Sequence, residues 1–323
     1  MALPSRRLLL ALALCSAAAA GFAQGPAKPL RIVVSFPPGG PVDFVARALG
    51  EQLGKELNTT VLIDNKAGAN GAIGAGEVLR SPPDGSTLWI TSVGAAAVNP
   101  ALYDKLPYDM QRDFAPVSLV VNNVELLVVH PGNPADGAAA FVAAAKRGGK
   151  EPATLASSGI GSIPHLALEQ LNDATGANFT HIPYKGAAPA ITDVMGGQVS
   201  GFFGDIPGLI GHVKSGKLKP LGIAASSRHP ALPEVKTLAE QGIAGVDTNN
   251  WYALFAPAKT PPATLEQINQ AVKRALTAPA LRDKLLASGA DPAPSTPQAL
   301  ATLLKQDTDK WARLIRDKKI KAE

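Results

Sequence analysis

Two hydrophobic rhythms alternate along almost the whole chain. Short β-branched and aromatic runs give way to apolar residues at helical spacing, and the alternation then repeats. The stretch RIVVSFPPGGPVDFVARALGEQL (residues 31–53) sets the pattern. Residues 32–36 read as a buried strand, Pro37-Pro38-Gly39-Gly40 ends it, and Val42, Val45, Ala48, Leu49 and Leu53 recur at helical spacing. Pro41 suits the first helical position, where its missing N–H removes no bond. Asp43 falls in the first turn, where a carboxylate meets free backbone N–H groups and the positive end of the helix dipole.

The same reading predicts strands over residues 60–65, 86–92 and 153–158, and in FTHIPY, SGFFGD and PLGIAAS, with helical segments between them. Residues 116–131 read as two strands or as one long bent one. After WYALFAP the pattern is wholly helical from Pro261, and Leu300, Leu303, Leu304, Trp311, Leu314 and Ile315 share one face of the last helix. Alternating strands and helices imply an α/β fold with mostly parallel sheet. For 323 residues two lobes are the default, at about 100–200 residues per domain.

The opening chemistry returns in TLASSGIGSIPHLALEQL, residues 154–171. A strand ends in Ser157-Ser158-Gly159-Ile160-Gly161-Ser162. A helix follows with Pro164 near its first position and Ser162 placed as its cap. At both turns glycines let a ligand approach the backbone, and unpaired N–H groups attract an anion. A plain capped connection is the competing reading at each. One exposed dipole end is worth about 0.3–1 kcal/mol, while a micromolar ligand needs about 8 kcal/mol. Two donor sets facing each other across a cleft between lobes can reach that figure; one cannot.

Composition narrows the classes. Hydrophobic residues make up 46%, enough for substantial cores. Residues 1–23 carry Arg6 and Arg7, the apolar run LLLALALCSAAAA, and GFA before Gln24, which together read as a cleaved signal peptide too short for a membrane span. LALC raises a lipoprotein signal, but Leu14 stands where a small residue is wanted. Cys15 is the only cysteine, so the mature chain lacks thiols and disulfides and fits the periplasm. Cleavage takes two arginines and no acid from a formal charge of +5. There is no basic stripe with aromatics, so nucleic acid is not a partner. The five histidines lack metal-ligand spacing, and Gly68, Gly71, Gly74 and Gly76 miss the dinucleotide fingerprint, so neither metal nor cofactor is expected. No Gly-x-Ser-x-Gly elbow occurs. Ser162 and His165 lie three apart with no acid placed to orient the histidine, and an exported serine hydrolase stands as the alternative.

Read in order, VVSFPPGGPVDFVAR, DNKAGANGAIGA with PPDGSTL, NPALYDKLPYD with DFAPVSLV, SSGIGSIPHLALEQL, HIPYKGAAPAITDVMGGQV, FFGDIP, GKLKPLGIAASSRHPALPEVKTLAEQG and WYALFAPAKTP give the chain its character. In these blocks it resembles the Bug family, periplasmic substrate-binding proteins of tripartite tricarboxylate transporters. The resemblance implies a two-lobed Venus-flytrap fold of type II, each lobe a mostly parallel sheet flanked by helices. Two strands would cross between lobes near 121–127 and 250–255. Lobe 1 would comprise 24–124 plus 251–323, and lobe 2 would comprise 125–250. It also implies that Pro38, Gly39 and Gly40 face Ser157, Ser158, Gly161 and Ser162 around a ligand carboxylate, with Asp205 accepting from water or a ligand amine or hydroxyl. Ser92, Gly94, Tyr184 and Trp251 would supply walls, and His165 would flank the turn. Val42 departs from the Ser or Thr of many relatives, which removes one hydroxyl donor. The implied function is a non-catalytic monomer that passes a dicarboxylate, amino acid or aromatic acid to transporter membrane subunits; a receptor feeding a sensor protein would share the fold.

Overall fold

A computed structural model describes residues 28–149, 152–246 and 248–321, so the leader assigned to 1–23 lies outside the described residues. Strands β1 (Leu30–Val34), β2 (Val61–Asn65) and β3 (Thr87–Ser92) alternate with helices α1 (Pro41–Leu57) and α2 (Ala72–Leu79). Short helices α3 (Asn99–Leu102) and α4 (Met110–Asp113) lead into the long strand β4 (Phe114–Val129). Then come α5 (Ala138–Arg147), β5 (Thr154–Ser157), α6 (Ile163–Thr175), β6 (Thr180–Pro183), α7 (Ala187–Met195), β7 (Gly201–Asp205), α8 (Ile206–Lys214) and β8 (Lys219–Ala224). Strand β9 (Asn249–Pro257) precedes α9 (Pro262–Thr277), α10 (Pro279–Ser288), β10 (Asp291–Pro292) and α11 (Pro297–Lys318).

Residues 114–129 therefore form a single strand, and it joins the two halves of the molecule. Its first part lies antiparallel to β9 and β10 beside the parallel set β2-β1-β3. Its second part lies antiparallel to β7 and β8, with β5 and β6 parallel beyond β7. The handover is abrupt: Val124 pairs with Asn249 of β9, and Glu125 pairs with Asp205 of β7. The return falls slightly ahead of the expected 250–255. Thr248 still donates to Ala224 of β8, whereas Asn249 already pairs with Val124. The register against β9 slips between Pro116 and Ser118, where a proline has no N–H to give to the ladder. The expectation of an unbroken helical C-terminus is corrected by β10, whose Asp291 and Pro292 pair with Asn122 and Val121. Two residues are too few to leave a period in the sequence.

Both sheets are covered on both faces. Neighbouring residues on a strand point to opposite sides, and in the pairs Leu88/Trp89, Leu126/Leu127 and Phe202/Phe203 both members are buried. That explains the continuous apolar runs of the sequence. On the first sheet one face packs Leu49, Leu88 and Leu254; the other packs Trp89, Phe114, Phe255 and Trp311. Helix α11 buries Leu300, Leu304, Trp311 and Ile315, with Leu303 and Leu314 only partly covered at the edge of that stripe. Among the described residues no helix is long and apolar enough to cross a membrane.

Candidate functional site

Helices from both halves begin at one place. Helix α1 starts after Gly40, α6 after Ser162, α7 after Gly186 and α8 after Asp205, and none of these starts has a side-chain cap. Gly40, Ser162, Ala187 and Asp205 line a common chamber, closed by Ser92 at the end of β3 and by Asn250 and Tyr252 of β9. The first amides of a helix have no intrahelical acceptor, so these ends present donors and positive dipole charge to the same space. The chamber is small, about 20 Å³, on the order of one water molecule. It adjoins a mouth cavity of about 200 Å³, which shares Phe36, Pro37 and Ser158 with it and adds Asn70, Tyr103, Tyr184 and Lys185.

The first turn is held from behind. Asp43 Oδ2 accepts from the Gly39 N–H at 3.0 Å and from Arg47 Nε at 2.9 Å, while Oδ1 accepts from Asn65 Nδ2 at 2.8 Å. Burial opposes ionisation of Asp43. Arg47, the Gly39 N–H and Asn65 outweigh it and hold the carboxyl below its usual range. Gly39 sits at φ +81°, a conformation that only glycine takes without strain. Its amide serves Asp43, and neither Gly39 nor Pro38 lines the chamber; Gly40 does.

The second turn is held by histidines. Ser157 Oγ lies 2.6 Å from His181 Nε2 and accepts from the Gly159 N–H at 3.1 Å. The Gly161 N–H donates to His165 Nδ1 at 3.1 Å, and the His165 ring stacks on His181 with centroids 3.9 Å apart. Burial and the adjacent His165 lower the His181 pKa to about 3, so this ring is neutral near neutral pH. Ser157, Gly161 and His165 thus shape the turn from below rather than line the chamber, while Ser158 and Ser162 line it. Ser162 occupies the cap position, but its hydroxyl donates back to Gly159 O at 2.7 Å, which leaves the first α6 amides open to the chamber.

Other candidate residues separate. Tyr184 lines the mouth, and its hydroxyl donates to Asp193 at 2.6 Å. Gly94 packs against the second half: a Cβ there would stand 3.3 Å from Gly161 O. Trp251 is buried in the first sheet's core, where its Nε1 donates to Asp307 Oδ2 at 2.6 Å. Asp205 accepts from Asn250 Nδ2 at 2.7 Å and from the Tyr252 hydroxyl at 2.6 Å. Behind it stands Glu125, wholly buried, whose carboxyl is pushed well above its usual range by burial and then by Asp205. Asn250, Tyr252 and Glu125 escaped the sequence reading, as did the α7 start. Two of these left a trace: Glu125 is an acid inside the apolar run VELLV, and the α7 start has a glycine and a proline close to Ala187 in KGAAP.

The two halves touch around the chamber. A Cβ at Gly186 would come within 2.5 Å of Pro37 Cδ; away from the chamber, at the far end of α6, Lys318 of α11 pairs with Asp173 at 2.5 Å.

Comparison with known proteins adds a family. Residues 45–320 match the family described as the tripartite tricarboxylate transporter family receptor. The structure of periplasmic binding protein BugD is similar with a TM-score of 0.87 and 31% identity, over 93% of this chain and 100% of that one. R. palustris Rpa4515 with adipate is similar with a TM-score of 0.88 and 30% identity, over 92% and 99% of the two chains. MatC (Rpa3494) from Rhodopseudomonas palustris with bound malate is similar with a TM-score of 0.84 and 32% identity, over 90% and 100%.

Proposed function

Because the chain belongs to the tripartite tricarboxylate transporter receptor family, whose members are solute-binding proteins, we propose that it is a periplasmic receptor for a small carboxylate held where α1, α6, α7 and α8 begin. The observation that carries this reading is the convergence of those uncapped starts, from both halves of the molecule, on one chamber. A hydrogen bond to a charged group is worth about 1.5–3 kcal/mol. Three or four such bonds reach the ~8 kcal/mol of a micromolar complex, and one helix start does not. Gly40, Ser92, Ser158 and the open Ile163 amide that follows Ser162 are the donors to the ligand, and Asp205 accepts from it. Pro38, Gly39, Ser157, Gly161 and His165 hold the two turns in shape.

Residues 24–124 with 251–323 form one lobe and 125–250 the other, behind a leader of residues 1–23. A carboxylate of several carbons exceeds the chamber as it stands, so ligand entry requires the lobes to part. Bridging by the ligand then shifts the open–closed equilibrium and presents the closed surface to membrane subunits or to a sensor protein. The receptor acts as a monomer and binds without catalysis. Among the described residues the Ser157–His181 contact is a feature a hydrolase would share, but Ser157 is wholly buried and its hydroxyl also engages Gly159.

The test is a thermal-shift screen of organic acids on the leaderless protein, followed by calorimetry. A ligand that binds only the folded state raises the melting temperature. Gly40→Asp and Ser162→Asp each place a negative charge on the chamber wall and are expected to weaken binding at least about tenfold, since like charges cost on the order of 1–4 kcal/mol at these separations. Unchanged affinity in both variants would refute the assigned site.

A further inference from the structure

The chamber floor holds a feature that a carboxylate grip does not need. Glu125 and Asp205 are paired directly opposite each other across β4 and β7, with exposures of 0% and 8%. Asp205 lines the chamber and Glu125 stands behind it. No cation among the described residues pairs with either. The donors are Asn250 Nδ2, at 2.7 Å from Asp205 Oδ1 and 3.3 Å from Glu125 Oε1, and the Tyr252 hydroxyl at 2.6 Å from Asp205 Oδ2. Glu125 Oε2 is buried without a hydrogen-bond partner.

Charge and hydrogen-bond accounting both require a proton here. Two unit charges about 4 Å apart repel by about 4 kcal/mol even at an effective dielectric of 20, in addition to several kcal/mol of desolvation per ion. A proton on Glu125 Oε2 removes one charge, converts the orphaned acceptor into a donor and gives Asp205 a third bond. Among the described residues on the elements packed against the pair, no other group offers a charge. Strand β8 brings Ala224, α8 brings Ile206, and α1 brings Pro41 and Val42, with Asp43 of α1 engaged by Arg47. Strand β9 brings Tyr252, which burial and then Asp205 keep protonated.

We infer that Glu125 is a specificity-determining residue: it stays protonated at neutral pH and donates to Asp205, leaving a single negative charge on the chamber floor. That charge selects a carboxylate ligand bearing an ammonium group over one bearing a second carboxylate. This rests on the carboxylate-receptor reading above and names the ligand class within it. The helix starts take the ligand carboxylate, and the floor takes its cationic nitrogen. A hydroxyl donates but leaves the floor charge uncompensated, and a second carboxylate adds like charge. Glu125 acts through Asp205 and touches no ligand.

Infrared spectroscopy of the ligand-free, leaderless protein at pH 7 is expected to show a protonated-carboxyl C=O band that disappears in Glu125→Gln. Calorimetry with an amino acid, a hydroxy acid and a dicarboxylate of equal carbon number is expected to rank them in that order, with about tenfold or more between first and last. Glu125→Gln keeps the ranking, because its amide still donates to Asp205. Asp205→Asn removes the floor charge and narrows the ranking to within about threefold. Absence of the band, loss of the ranking in Glu125→Gln, or a dicarboxylate binding best to the unaltered protein would overturn the inference. Should the band be present while no organic acid binds, the buried proton stands, and the carboxylate-receptor reading falls together with the selectivity built on it.

Discussion

His165 and His181 lie ring on ring beneath the second turn, and their neutrality has a measurable consequence. Burial, then His165, lowers the His181 pKa to about 3, against about 6.5 in an unfolded chain. As pH falls below 6.5 the unfolded chain takes up the proton first. The stability contributed by neutral His181 is therefore complete above pH 6.5 and is lost as pH falls towards 3. Glu125 has the opposite sign. Its raised carboxyl contributes stability below the ordinary glutamate value, and that contribution is lost as pH rises through the folded pKa. Urea melts at pH 5, 7 and 9 are expected to show Glu125→Gln gaining on the unaltered protein as pH rises, and His181→Phe losing less than the unaltered protein on going from pH 7 to 5. Parallel curves for all three proteins would contradict this. From sequence alone Ser157 was a candidate donor to an anion. It did not reveal that His181, 24 residues on, engages that hydroxyl, because such a contact leaves no local pattern.

At the scale of elements, the α7 start is the least expected part of the site and the easiest to perturb. Gly186 sits at φ +119° with the rigid Pro37 ring against it from the other half of the molecule. Gly186→Ala drives a methyl group into that seam. Gly197 also has a positive φ, +69°, but a Cβ there meets nothing within 4 Å. Both alanines carry backbone strain, on the order of 1–3 kcal/mol each. Only Gly186→Ala is expected to weaken ligand binding, by about tenfold, because only it wedges the halves apart. Equal affinity losses in the two variants would show that strain, rather than separation, is responsible. The starts of α1 and α6 were legible from strand, small-residue turn and proline. That of α7 was passed over because Pro189 lies two residues inside the helix and no serines mark the turn.

For the whole molecule, the alternation of rhythms made the α/β class and the two covered sheets readable, since a strand buried on both faces must be apolar throughout. Strand order was not readable in this way. The sheet runs β2-β1-β3-β9-β4, so a strand from residues 249–257 is inserted between two strands from the first 129 residues. Hydrophobic period says which residues are buried and nothing about which partner they meet. That the chain returns here at all followed only from family resemblance.

This insertion imposes an order on biosynthesis. Until β9 has been made, β3 and β4 each keep an open edge in the first sheet, and α9, α10 and α11 are not yet present to cover it. The second sheet and the cores on its two faces use nothing beyond Val246. The half that begins the chain is thus the last to mature, and the internal half can consolidate while the ends are still unpaired. A polypeptide ended at Val246 is expected to protect the amides of β5, β7 and β8 from hydrogen exchange and to leave those of β1 and β3 unprotected. Protection of β1 and β3 in that truncated chain would mean the early strands can form their sheet without the late one.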